Sequence, residues 1–225
     1  FNPGVMAVIC FYTISGYLMR RSIERFGRFS PRPARAFLAD RVLKLFPQPK
    51  SKAVAWAGIE SPEQALALLN RAQAAGSLTG FELVARIGME FAVKHIAGAR
   101  VPFAAPAPWY ALIEFSSHRS QEDASHTMMS VLEAAFEEGI LLDAAIASSE
   151  TQQKEFWALR ENLSHAQKSE GGSIKHDISV PVAKLPAFIE RAAAAVEAMI
   201  PGARLVTLGH MGDGNLNSNV SQPVA

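Results

Sequence analysis

A histidine stands where a strand pattern runs into a glycine-rich turn. The run is Gly209-His210-Met211-Gly212-Asp213-Gly214-Asn215, followed by Leu216-Asn217-Ser218-Asn219-Val220. Gly212 and Gly214 permit the positive-φ geometry of a tight turn, and Asp213 can bond back to the backbone. His210, at a strand end, can point into a cleft. Asn217 and Asn219 are two apart and share one face of the returning strand. The set can offer a ligand one imidazole and two amides. Asp-Gly turns are common, so an ordinary hairpin with an incidental histidine explains the same spacing.

Cations come from a second region. Phe156, Leu159 and Leu163 form an apolar stripe at helical spacing, with Arg160 beside it. The Arg160 stem can then pack while its fork reaches inward. Lys175 lies in the segment 174–180, where Ile174, His176, Ile178 and Val180 alternate with Lys175, Asp177 and Ser179. Arg160 and Lys175 could clamp a carboxylate, the first bidentately and the second as a point charge. On spacing alone the plainer reading is favoured: Arg160 pairs with a nearby acid on the surface and Lys175 is solvated.

The elements that must carry these residues are legible in outline. Residues 53–59 have strand length and composition. Ser61-Pro62-Glu63-Gln64 then reads as a helix start, with Ser at the N-cap, Pro at N1 and Gln completing a capping box; Gly76 ends that helix. Helices are expected over 81–95, 121–138, 151–169 and 186–199, and strands over 109–117, 140–147, 174–180, 204–209 and 216–220. Several of these strands show one polar face, which favours an antiparallel sheet with helices on one side. The expected fold is α+β, a ferredoxin-like antiparallel sheet with helices packed on one face, preceded by a short helical N-terminal segment.

The 225 residues, 49% apolar, suffice for one buried core. A net charge of +1 conceals an asymmetry: Arg20, Arg21, Arg25, Arg28, Arg32, Arg35, Arg41 and Lys44 face only Glu24 and Asp40 within residues 1–47. The arginines follow the apolar run 5–19, an order that suits a membrane segment with a positive flank, or a buried helix. Nucleic acid is not expected as a partner. Cys10 is the only cysteine, so intrachain disulfides and Cys-clustered metal sites are excluded, and a reducing cytoplasmic setting fits.

Three separated segments, Trp157-Ala158-Leu159-Arg160-Glu161-Asn162, Lys175-His176-Asp177-Ile178-Ser179-Val180-Pro181 and the run 209–215, resemble the C-terminal domain of the FAD-linked oxidase family in order and spacing. Gly80-Phe81-Glu82-Leu83 and Pro108-Trp109-Tyr110 are also similar. Members of that family include D-2-hydroxyglutarate and D-lactate dehydrogenases and the glycolate oxidase D subunit. The resemblance implies that Arg160 and Lys175 bind the carboxylate of a small 2-hydroxy acid. It implies that His210 is the partner of the substrate hydroxyl or a ligand of a divalent metal such as zinc, and that Asn219 contacts substrate near the flavin. Where the family carries a second metal-binding histidine this chain has Asn217, a poor replacement. A Glu-His pair used further downstream in the family falls after Ala225, so an incomplete metal site is expected.

Residues 1–45 show no Gly-rich loop for the FAD pyrophosphate. The segments 11–19 and 37–47 instead resemble the start of an acyltransferase-3 membrane protein, suggesting a fusion near Leu43-Lys44-Leu45-Phe46-Pro47. The expected organisation is therefore a basic, membrane-associated segment 1–47 and a truncated substrate domain 48–225. By itself the chain is expected to be inactive and not to bind FAD, with a separate FAD-binding subunit as a possible partner. The alternatives are a non-catalytic remnant or interaction domain, or a membrane acyltransferase fragment.

Overall fold

The computed structural model describes residues 51–103 and 105–223. The first apolar run forms β1 (Ser51–Ile59), buried without a break from Ala53 onward. Such a run marks a strand covered on both faces. Helix α1 (Pro62–Ala74) starts where Ser61 Oγ accepts from Gln64 N at 3.3 Å. The reciprocal bond of the capping box shifts by one residue, with Glu60 N donating to Gln64 Oε1 at 3.0 Å. Then come β2 (Leu78–Ala85), α2 (Arg86–His95), β3 (Trp109–Ser117), α3 (Gln121–Glu137) and β4 (Asp143–Ile146). Their strands lie in the order β4-β1-β3-β2, all antiparallel. That is the ferredoxin-like arrangement.

The remainder extends the sheet from its β2 edge. After α4 (Glu150–Lys168), β5 (Ser173–Ile174), β6 (Asp177–Ser179) and α5 (Leu185–Met199), the strands β7 (Arg204–His210) and β8 (Asn215–Ser221) complete an eight-stranded sheet. Its order is β4-β1-β3-β2-β7-β8-β5, with β6 also paired to β8. The α+β class and the antiparallel sheet are as expected.

Two expectations need correction. Residues 81–95 are not one helix: the first part is strand β2 and only Arg86–His95 is helical. Both faces of β2 are buried at 81–85, so no period-2 contrast separates it from a buried helix. The helices also do not all lie on one face. Leu68 and Leu69 of α1, Met128 and Leu132 of α3 and Ile189 of α5 pack with Ala55, Ile113 and Phe115. On the opposite face, Phe91 of α2 and Phe156, Leu159 and Leu163 of α4 pack with Trp56, Leu112 and Leu208. Glu82 and Glu114, acids within the strands β2 and β3, are 1% and 6% exposed beneath α4. They are buried and paired.

Just beyond α4, Glu170 accepts from Lys94 and His95 at the end of α2 and from Arg204 at the start of β7. The Lys94, His95 and Arg204 hydrogen bonds hold its carboxyl down at about 2, from an ordinary 4.5. This cluster ties α4, α2 and β7 together. The segment 1–47, with its expected helix and membrane contact, lies outside the described residues. Among the described residues no helix is long and apolar enough to cross a membrane.

Candidate active site

The register of β2 and β7 sets Glu82 opposite His210. Strand residues two apart share a face, so Glu82 points the same way as Val84, and His210 the same way as Leu208, toward α4. Glu82 Oε2 accepts from Arg160 Nε at 2.8 Å and lies 2.8 Å from Arg160 Nη2. Its other oxygen, Oε1, meets His210 Nδ1. An unpaired carboxylate at 1% exposure costs several kcal/mol. Here both oxygens are engaged. One buried acid thus gathers Arg160 from the helix and His210 from the sheet.

Arg160 reaches this point because Phe156, Leu159 and Leu163 fasten the neighbouring face of α4 to the core. Its side chain is 13% exposed, so the guanidinium lies inward and pairs with a buried acid rather than a surface one. His210 remains 62% exposed, with one ring edge held by Glu82 and the other open.

The turn after His210 holds the histidine in place. Met211, fully buried, anchors a short 3-10 helix (Met211–Asp213), and Asp213 Oδ1 accepts from Asn215 N at 3.0 Å as expected. Gly214 has φ 80°, and a Cβ there would lie 2.1 Å from the Val180 carbonyl oxygen. Only glycine fits. Gly212, expected to use positive φ as well, does not.

Trp157 forms a wall on the other side. Its Nε1 donates to Glu114 Oε2 at 2.9 Å, while Glu114 Oε1 accepts from Thr79 Oγ1 at 3.0 Å and pairs with Lys52 Nζ at 2.9 Å. The indole ring lies against Gly80, where a Cβ would stand 3.2 Å from Cζ2. Between this ring and His210 runs an open groove of about 530 Å³, floored by Gly80, Phe81 and Glu82 and edged by Asp213. Its size suits a small molecule.

Lys175 and Asn219 do not join this pair. Asn219 is 2% exposed, its Nδ2 donates to Gln167 Oε1 at 2.9 Å, and its Oδ1 accepts from His176 N at 3.3 Å. It pairs with Val206, four residues before His210 on β7, or about 13 Å away along the strand. Lys175 is exposed between β5 and β6, beside the far edge of β8. Counting two strand spacings as well places it roughly 16 Å from His210. Asn217, expected at a ligand position, faces Leu208 in the ladder.

Glu82, Glu114 and Trp157 lie outside the set that spacing singles out. The available signal was an acid inside an apolar strand run, Phe81-Glu82-Leu83 and Ile113-Glu114-Phe115, because a buried acid requires partners.

Among the described residues no three His, Cys, Asp or Glu side chains are placed to hold a metal ion.

Residues 48–225 match the family described as FAD linked oxidases, C-terminal domain. A D-2-hydroxyglutarate dehydrogenase of Stutzerimonas stutzeri (strain A1501) is 31% identical over 192 residues, covering 84% of this chain and 40% of the relative. Another, of Xanthomonas citri pv. viticola, is 33% identical over 148 residues, covering 66% of this chain and 30% of the relative. The chain thus spans two fifths or less of these relatives' length. Among solved structures, the 4-ethylphenol oxidase of Gulosibacter chungangensis in its isoeugenol complex aligns with a TM-score of 0.50 at 10% identity, over 78% of this chain and 40% of that one. At that identity the likeness concerns the fold alone. The chain belongs to the FAD-linked oxidase family through that family's C-terminal domain.

Proposed function

We propose that this domain binds a small D-2-hydroxy acid in the groove between Trp157 and His210, as the substrate side of an FAD-linked dehydrogenase. The observation that carries the reading is the meeting of Arg160 and His210 on one buried carboxylate at the groove floor. The names of the related dehydrogenases support the substrate class.

Arg160, whose Nε donates to Glu82 at the groove floor, supplies the cation for a substrate carboxylate. His210, through the ring nitrogen not held by Glu82, accepts the proton of the 2-hydroxyl. Loss of that proton, and of hydride from C2, turns the alcohol into the ketone. The family's FAD supplies the two-electron acceptor when bound. The residues described here act on the acid alone: they orient its carboxylate, take its proton and, through Trp157, limit its rotation.

Calorimetric titration of the 225-residue chain with D-2-hydroxyglutarate and with D-lactate tests this. Saturable binding of at least one acid is expected. Arg160→Lys and His210→Ala should each weaken it roughly tenfold or more, the scale of one charge-assisted hydrogen bond. No saturable binding, or binding indifferent to both substitutions, would contradict the reading.

A further inference from the structure

We propose that Trp157 is a specificity-determining residue: its indole is the partition between the substrate groove and a second groove beyond it. Standing there, it keeps a 2-hydroxy acid from reaching Lys52, a cation on the far side. This rests on the hydroxy-acid site proposed above.

The second groove, of about 500 Å³, runs between α4 and the start of β1. Lys52 and Val54 of β1, Gln121 of α3, and Lys154 and Glu161 of α4 line it. Of the residues lining the two grooves, Trp157 is the one they share. Its ring is held at two points. Nε1 donates to Glu114 Oε2 at 2.9 Å, and the edge bearing Cζ2 and Cη2 lies against Gly80.

Glu114, 6% exposed, also takes one donor from each groove. Thr79 Oγ1 reaches Oε1 from the substrate side at 3.0 Å, and Lys52 Nζ reaches it from the far side at 2.9 Å. A buried carboxylate with three partners is a firm anchor for the indole.

Beneath the ring, Gly80 pairs with Glu114 in the β2–β3 ladder. Glycine has no side chain to fill the space that a smaller residue at 157 would leave. Such a residue therefore joins the two grooves into one trough. Lys52 then stands one carboxylate away from the place the indole occupied. Its ammonium has three donors, of which Glu114 takes one, and its side chain is 48% exposed. Lys154 and Glu161, about one turn to either side of Trp157, offset each other, and Glu150 lies roughly 10 Å back along the helix. A second carboxylate on a longer acid thus finds a cation at Lys52 once the wall is gone.

The test is calorimetric titration of the 225-residue chain with D-lactate, D-2-hydroxyglutarate and D-2-hydroxyadipate. Trp157→Ala should raise affinity for D-2-hydroxyadipate relative to D-lactate roughly tenfold, the scale of one charge-assisted hydrogen bond. Trp157→Phe, which keeps a ring in place, should leave that ratio within about twofold of wild type. Lys52→Gln should do the same on its own, yet cancel the gain when added to Trp157→Ala.

A ratio unmoved by Trp157→Ala would overturn the proposal, and so would a gain that survives Lys52→Gln. Wild type that binds none of the three acids would sink the hydroxy-acid reading and this proposal with it. Binding whose selectivity ignores residue 157 sinks the partition alone. Trp157→Leu is the second variant, with the same expected direction as Trp157→Ala. If neither folds, the indole is a structural support and the proposal falls.

Discussion

Glu82 and His210 face each other directly across the β2–β7 ladder, and the carboxylate that meets His210 is the one that grips Arg160 on α4. A strand pair and the helix covering it are thus joined at one buried charge. The groove opens beside that point.

Removing Arg160 should therefore be costly to the fold. Arg160→Met leaves the Glu82 carboxylate without its main partner and should lower unfolding free energy by about 3 kcal/mol. Adding Glu82→Leu in the same chain should recover most of that, since the stranded charge is gone. Urea unfolding of both single variants and the double checks the coupling. Additive losses would show that the two side chains do not depend on each other.

Gly80 gives Trp157 its place. A Cβ there would lie 3.2 Å from Cζ2 and 3.3 Å from Cη2 of the indole. Gly80→Val should push the ring from Glu114, lowering stability by roughly 1–3 kcal/mol, the usual cost of overpacking. The indole N–H resonance of Trp157 should shift with it. An unmoved resonance at wild-type stability would mean the wall adapts.

The Asn219 amide stitches β8 to α4 through Gln167, whose Nε2 donates to Ser221 Oγ at 3.0 Å. Asn219→Ala leaves buried polar groups unmatched and should cost about 1–3 kcal/mol. Affinity for a 2-hydroxy acid should stay within twofold or so of wild type, because Asn219 lies about 13 Å along the strand from His210. A large loss of binding at unchanged stability would instead place Asn219 in the substrate site.

Glu170 predicts an acid-side signature. Its carboxyl is held down at about 2 by Lys94, His95 and Arg204. A depressed carboxyl stabilises the fold above its ordinary value and loses that contribution as pH falls through the folded value. The melting-temperature gap between wild type and Glu170→Gln should be widest above about pH 5 and shrink toward pH 2. A gap that does not change over this window would rule the cluster out as an acid-sensitive tie.

How much of this was legible in the sequence depends on which side of the sheet is considered. The Ser61 cap, helix α3 over Gln121–Glu137 and the turn at Asp213-Gly214 follow from local rules and were readable. Strand β2 was not, because burial on both faces erases the alternation that marks a strand. For the site, the local setting of Arg160 beside an apolar helix face and of His210 at a strand end was readable from their segments. Their meeting was not, since it depends on a register between strands distant in sequence and on Glu82, an acid that spacing alone left unremarked.

The central claim is that a D-2-hydroxy acid sits between Arg160, His210 and Trp157. Nuclear magnetic resonance titration of the chain with D-2-hydroxyglutarate, following the His210 ring, the Arg160 Nε–H and the Trp157 indole N–H together, tests it most directly. The account predicts that all three shift along one saturation curve while Asn219 and Gln167 stay still. Shifts confined to Lys175, Asn219 and their neighbours, or none at saturating acid, would contradict it.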